Sequence, residues 1–114
     1  MNQIKLKRIE AELNRTISDI LLQESTDDLM KTITITGSEI APDLSFAKVY
    51  FTSLSDIDHK QLEKEMDEAK DFVRKFVAEK MDLRQTPKLK FVYDESIEYG
   101  SRIEKIISEI KKED

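Results

Sequence analysis

The sequence predicts a single α+β domain of two layers, with helices packed on a three-stranded sheet in the order α-β-β-α-β-α. Two long stretches repeat apolar residues with the period of a helix, and three short runs alternate with the period of a strand. No internal repeat, low-complexity tract or linker separates them. A chain of 114 residues can bury one modest core, so residues 1–114 are assigned to one domain whose last few residues should fray.

An apolar stripe predicts the first helix, from about residue 3 to residue 24. The stripe consists of six residues at helical spacing: Ile4, Ile9, Leu13, Ile17, Ile20 and Leu21. Residues 25–28 should end the helix, because four short polar side chains in a row compete for the backbone hydrogen bonds that a helix needs.

Two runs rich in β-branched and aromatic residues predict an antiparallel hairpin. The first strand, residues 31–36, alternates isoleucine and threonine, and Gly37 at its end suggests a bulge. After a turn at residues 41–43, the second strand covers residues 44–53. Its two faces carry alternate residues: Ala47, Val49 and Phe51 on one, and Phe46, Lys48 and Tyr50 on the other.

A longer stripe predicts a second helix of about 25 residues. It should begin after the N-cap Asp58, with Gln61 placed as the partner of a capping box, and end before Pro87. A straight helix of that length would span about 37 Å, more than a domain of this size offers to pack against. A bend or break is therefore expected at residues 69–71, where the stripe widens.

The last part of the chain predicts a strand and a helix. Residues 88–94 alternate as a third strand. Ser101 and Glu104 have the spacing of a capping box just after Gly100, which predicts a last helix from about residue 101 to residue 111. Four isoleucines should be buried by this helix: Ile103, Ile106, Ile107 and Ile110.

The charge distribution is uneven. A net charge of -5 opposes nucleic-acid binding, since the usual footprint is a basic domain. The basic surplus, however, is confined to residues 1–15, at +2, and residues 70–90, at +4, whereas residues 16–69 carry -8. The chain has no cysteine for a disulfide or a thiolate metal site, and no apolar stretch as long as a membrane span. We expect a cytoplasmic protein with no cofactor and no membrane contact.

The order of helix, hairpin, long helix and strand resembles a type II K-homology (KH) domain, and two tracts resemble the ribosome-binding factor A family. The first tract is APDLSFAKVY at residues 41–50. The second begins at Leu83-Arg84, continues as PKLKFVYDES at residues 87–96, and is followed by Gly100 and by Arg102-Ile103. The resemblance covers nearly the whole chain, and it is specific from residue 86 to residue 103.

This resemblance implies a non-catalytic bacterial factor, monomeric and cytoplasmic, that binds the 30S small ribosomal subunit late in its assembly and contacts 16S ribosomal RNA. It implies a role in maturation of the 5′ end of that RNA and in cold adaptation, with release before translation and a release GTPase as a further partner. Family members lack the GxxG loop of ordinary KH domains and carry an Ala-x-Gly kink in the long helix. Here the matching positions are Ala69 and Asp71, so a carboxylate replaces the small residue.

Basic residues supply the candidate RNA contacts. In a KH-like fold the long helix borders the nucleic-acid groove, and lysine and arginine side chains there can neutralise phosphates. One group runs from the long helix into the third strand and consists of Lys70, Arg74, Lys75, Arg84, Lys88 and Lys90. The other group lies on the first helix and consists of Lys5, Lys7 and Arg8. The alternative interpretation is a solvated helix face, since lysines at such spacing are common on surface helices.

The aromatic residues favour a structural interpretation. Aromatic rings can stack on bases, but five of them lie on an apolar stripe or strand face that should be buried: Tyr50, Phe72, Phe76, Phe91 and Tyr93. His59, the single histidine, lacks a second histidine or a cysteine with which to hold a metal, and it is expected at the surface.

The acidic residues do not form a catalytic constellation. The acids of the long helix are interleaved with lysines, as on a solvated face: Glu63, Glu65, Asp67 and Glu68. Asp94, Glu95 and Glu98 read as caps and turn formers near Gly100. The sequence therefore predicts neither an enzyme nor a metal site. The alternative function is a protein-interaction module whose acidic segment, residues 16–69, docks on a basic partner.

Overall fold

Five main elements follow one another in the computed structural model, which describes residues 2–96. Their bounds are α1 (Gln3–Gln23), β1 (Ile33–Ile40), β2 (Phe46–Ser53), α2 (His59–Lys80) and β3 (Lys88–Tyr93), with a short 3₁₀ helix at Met30–Thr32 before β1. The predicted α+β class with a three-stranded sheet is confirmed. The helix predicted at residues 101–111 and the turn around Gly100 lie outside the described residues.

β2 is the central strand of the sheet, whose order is β1-β2-β3. β1 runs antiparallel to β2, as the hairpin predicts, and β3 runs parallel to β2 with Lys88 opposite Phe46. Parallel neighbours need a long crossover connection, and α2 supplies it. One face of β2 is fully buried through Ala47, Val49 and Phe51. The two long helices of residues 2–96 pack on this side, and the side that carries Phe46, Lys48 and Tyr50 is here called the open face.

The bulge in β1 falls one residue before the predicted position. The register passes from Ile35 opposite Phe51 to Gly37 opposite Tyr50, which leaves Thr36 as the extra residue. The Oγ1 of Thr36 donates a hydrogen bond of 2.6 Å to Oδ2 of Asp94. The bulge thereby ties the first strand of the sheet to the end of the last strand.

The turn between β1 and β2 delays the second strand to Phe46, two residues later than predicted. Leu44 is buried and has a left-handed backbone with φ of 63°, a conformation that costs a non-glycine residue about 1 kcal/mol or more. Its N–H donates to the carbonyl of Ala41. The carboxylate of Asp43 accepts hydrogen bonds from the backbone N–H and the hydroxyl of Ser45. These bonds hold the turn against its strain.

The two long helices bury their apolar stripes against the same face of the sheet. Their fully buried members are Leu13, Ile17, Ile20 and Leu21 of α1 and Leu62, Met66, Val73 and Val77 of α2. Asn2 caps α1 by accepting the N–H of Lys5, and Asp58 caps α2 as predicted. Ile4 was expected in the core but is 77% exposed, because the burial of α1 increases only gradually along the helix and is complete first at Leu13.

α2 is uninterrupted over its 22 residues, so the expectation of a break is wrong. It ends at Lys80, earlier than predicted, and Met81 continues in extended conformation. Gln61 does not complete a capping box, because its side-chain amide donates to Oε1 of Glu65 at 2.8 Å. A bend at Ala69 and Asp71 stays a prediction.

Candidate nucleic-acid interface

The long helix α2 has two solvent-facing sides that differ in composition. We call one side the β3 flank; it carries Asp67, Lys70, Asp71 and Arg74, which face strand β3. We call the other the α1 flank; it carries Ala69 and Phe72, which face the end of α1. The two flanks are separated by the buried stripe, and each of them lines its own concavity.

The β3 flank and strand β3 enclose a groove of about 290 Å³, here called the β3 groove. Eight residues line it: the cations Lys70, Arg74, Lys88 and Lys90, the acids Asp67 and Asp71, and the apolar residues Phe46 and Leu89. The structure thus brings together four of the predicted basic residues, two from the helix and two from the strand that follows it.

Strand register explains why Phe46 joins these cations. Phe46 lies opposite Lys88, and Lys48 lies opposite Lys90, in the parallel ladder of β2 and β3. Alternate residues of a strand share one face of the sheet, so the four side chains extend from the open face. Phe46 is 38% exposed and Lys48 is exposed. The sequence offered a signal for both, since alternation had placed them on the face opposite the buried residues of β2.

The lysines of the β3 groove differ in their partners. The Nζ of Lys70 lies 3.1 Å from Oδ1 of Asp67 in an exposed ion pair, which contributes at most about 1 kcal/mol. Lys88 and Lys90 are exposed and form no ion pair with another residue in the described part of the chain. Their ammonium groups are therefore available to an anionic ligand.

Arg74 has a structural role that the sequence did not reveal. Its Nε donates to the carbonyl of Pro87 at 3.2 Å, and its Nη2 donates to the carbonyl of Thr86 at 2.9 Å. The guanidinium therefore holds the end of the loop that leads into β3, immediately before Lys88. It keeps three of its five N–H donors for other partners.

The remaining predicted cations lie elsewhere. Arg84 and Lys5 meet across a second concavity, of about 520 Å³, formed by the start of α1, the β1–β2 turn and the loop after α2. Lys7, Arg8 and Lys75 are not among the residues that line either concavity. The two predicted basic groups are thus divided differently in space, because Arg84 joins the first helix instead of the β3 groove.

Most of the aromatic residues pack as predicted. Phe51 is the centre of a cluster in which the rings of Phe91 and Tyr93 meet it edge-on at 6.4 Å and 5.7 Å. The ring of His59, which was expected at the surface, stacks on Tyr93 at 3.7 Å and is half-buried. Phe72 also departs from its prediction, since it is 41% exposed.

Tyr50 lies half-buried on the open face of the sheet. Burial, with a smaller contribution from the Glu39 carboxylate, raises the pKa of its phenol above the usual value, because both disfavour the phenolate. Tyr50 is therefore a neutral side chain at physiological pH.

Residues 2–96 contain neither a candidate metal centre nor a candidate membrane span. No group of three or more histidine or acidic side chains in this range is placed to hold a metal ion. No helix in this range combines the length and the apolar character that crossing a membrane requires.

The chain is similar to known proteins both in sequence and in fold. The sequence model of the family described as ribosome-binding factor A matches residues 5–107. A Staphylococcus epidermidis protein of that name is 39% identical over 115 residues, which cover 100% of this chain and 99% of the relative.

Two structures of Thermus thermophilus ribosome-binding factor A share the fold at 19% identity. The crystal structure has a TM-score of 0.68 and covers 77% of this chain and 94% of its own. A homology model, fitted into the cryo-EM map of a 30S complex, has a TM-score of 0.65 and covers 79% of this chain and 96% of its own.

Proposed function

The chain belongs to the ribosome-binding factor A family, and from that premise we propose that it binds the 30S small ribosomal subunit late in its assembly. The contact is made to 16S ribosomal RNA, in the cytoplasm, by a monomer that performs no chemistry of its own. The related protein from Thermus thermophilus, fitted into a map of a 30S complex, supports this partner.

The β3 groove is the observation that carries the RNA contact. Lys88 and Lys90 offer ammonium groups without ion-pair partners in the described residues, and Lys70 and Arg74 face them across the groove. Cations in such an arrangement neutralise phosphates and release counterions. The exposed ring of Phe46 at the same groove is suited to stack on an unpaired base.

The two carboxylates of the groove shape what it can accept. Asp67 and Asp71 repel phosphate from the helix side, so the sugar–phosphate backbone should follow the lysines of β3. This preference favours a single-stranded or splayed segment over a regular duplex, whose phosphates approach from both sides.

The mechanism is occupancy. The bound factor stabilises the RNA conformation that fits the groove. Because it binds this conformation more tightly than competing ones, the population of the competing conformations falls. We propose that this supports processing of the 5′ end of 16S RNA and growth in the cold, and that a GTPase of the assembly pathway releases the protein before translation.

The test is a strain in which the gene is deleted, grown at low temperature and probed for unprocessed 16S precursor and free subunits. Wild-type protein should restore processing, whereas the double variant K88E/K90E should not. The control K60E/K64E makes the same change in net charge at exposed lysines that line neither this groove nor any other concavity described here, and it should restore processing. Normal processing in the deletion strain would contradict the proposed role.

A protein-interaction module built on the acidic segment, residues 16–69, stays the alternative prediction. In that case K88E/K90E would complement fully, and charge reversal at Glu63, Glu65 and Glu68 would not.

A further inference from the structure

The α1 flank lines a concavity of about 300 Å³, here called the α1 groove, on the side of α2 turned away from the β3 groove. Its floor is apolar and its rim is polar: Leu21, Met30, Ala69 and Phe72 form the floor, and Glu24, Ser25, Thr26 and Asp27 form the rim. The proposed RNA contact does not use this surface. Leu21 and Met30 belong to the buried core, whereas Phe72 is exposed.

Phe72 is the unusual member of the α1 groove. Its side chain is 41% exposed, and it contacts the ring of Phe76 edge-on with 5.0 Å between centroids. The apolar surface continues beyond Met30 into a smaller concavity of about 200 Å³, where Leu22 is 60% exposed. An apolar concavity with an exposed aromatic side chain and a polar rim is typical of a protein interaction site.

The charge of the rim indicates the sign of the partner. The Oδ1 atom of Asp27, at the rim, accepts a hydrogen bond of 2.9 Å from the N–H of Leu29. The last turn of α1 contains no basic residue, so its exposed carbonyls add the negative end of the helix dipole. Lys80 offsets part of this field through an ion pair of 3.4 Å with Glu24. The α1 groove therefore favours cations and repels phosphates.

We propose that the α1 groove docks a lysine- or arginine-rich protein segment that inserts one apolar side chain against Phe72. The apolar floor accepts the inserted side chain, and the rim carboxylates pair with the flanking cations. RNA is excluded from this role because its phosphates would face the same carboxylates. The inference rests on the proposed function only in that the partner segment is sought in the 30S subunit.

Site-directed photo-crosslinking on purified 30S subunits tests the proposal. Phe72→p-benzoylphenylalanine should form adducts with a ribosomal protein, and mass spectrometry should place them in a segment rich in lysine or arginine. Phe46→p-benzoylphenylalanine, in the β3 groove, is the matched probe and should form adducts with 16S RNA.

Four outcomes would overturn the proposal. They are adducts of the Phe72 probe with RNA, with an acidic or neutral protein segment, with residues 97–114 of the chain itself, or with nothing at all while the protein stays bound to the subunit. Failure of the proposed function has a different signature, because neither probe variant nor the wild type would then co-sediment with 30S subunits.

Affinity measurements supply a second test that does not depend on crosslinking yield. F72K should weaken 30S binding about 30-fold, because it removes an aromatic anchor and places a cation opposite a cationic segment. F72L keeps an apolar side chain and should change affinity less than about fivefold. L54K introduces the same charge at a leucine that is 91% exposed, and it should bind like the wild type. Equal affinity of F72K and L54K would contradict the proposal.

Discussion

The two flanks of α2 differ in chemistry although they belong to one helix and rest on one buried stripe. The β3 flank places Lys70 and Arg74 beside the lysines of β3, with an exposed ring at the far wall. The α1 flank places Ala69 and Phe72 beside acidic residues at the end of α1. One side is suited to a polyanion, and the other to a basic protein segment.

This difference arises from the helical period. Successive residues turn by about 100° around the axis, so Phe72 and Arg74, two positions apart, point in nearly opposite directions. Val73 lies between them and is fully buried. A short sequence can therefore support two unlike surfaces if the residue between them secures the helix to the core.

The largest expected effect comes from V73D, which should destabilise the helix that carries both flanks. A carboxylate at this buried position has no cation within the stripe to pair with, so the free energy of unfolding should fall by about 3 kcal/mol or more. Urea denaturation followed by circular dichroism measures the loss. A variant as stable as the wild type would contradict the placement of Val73 between the flanks.

Charge reversal at the two lysines of strand β3 in the β3 groove should affect RNA binding without affecting the α1 groove. K88E/K90E is expected to reduce affinity for 30S subunits about 30-fold at moderate salt, through loss of two phosphate contacts. Both lysines are exposed, so thermal unfolding should be nearly unchanged. K60E/K64E controls for net charge, and equal losses in the two double variants would argue against a localised RNA site.

Arg74 stabilises the wall of the β3 groove through its hydrogen bonds to the loop before β3. R74A removes two hydrogen bonds to the carbonyls of Thr86 and Pro87, and it should lower the free energy of unfolding by about 1–2 kcal/mol. K75A, at the exposed neighbour, should change stability by less than about 0.5 kcal/mol. Equal stability of R74A and K75A would show that the two bonds are not significant.

The smallest effect is expected in the β1–β2 turn, which belongs to neither flank. Hydrogen bonds from Ser45, the side-chain bond first, lower the pKa of the Asp43 carboxyl below its usual value. A depressed pKa adds stability above the unfolded-state pKa, and this stability is lost as pH falls through the folded-state pKa. S45A should therefore raise the pKa of Asp43 in an NMR titration and leave 30S affinity unchanged. An unchanged pKa would contradict the role assigned to Ser45.

Much of the fold follows from local patterns in the sequence. The stripes of α1 and α2, the alternation in the three strands and the cap at Asp58 each depend on residues within one or two turns of each other. Local patterns fail where a contact joins distant residues. The pairing of β3 beside β2 brings Phe46 to Lys88, and a single strand pattern does not indicate its neighbour.

The candidate site was predictable to a similar degree. Four of its cations were expected, since they are clustered in the sequence. Two features depend on the path of the loop after α2, which local patterns do not indicate. Arg74 donates hydrogen bonds to this loop, and Arg84 lines the same concavity as Lys5. Phe72 was misassigned because it lies at the edge of a wide apolar stripe, where one step of the helix decides between core and surface.

The salt dependence of binding to purified 30S subunits tests the division between the flanks most directly. Affinities of the wild type, K88E/K90E and F72A should be measured from about 50 to 300 mM salt, the range in which counterion release is readily resolved. We expect K88E/K90E to flatten the logarithmic slope by about 1 to 2, and F72A to weaken binding at every salt concentration with the wild-type slope. An unchanged slope in K88E/K90E, or an equally flattened slope in F72A, would contradict the assignment of RNA binding to the β3 groove and protein binding to the α1 groove.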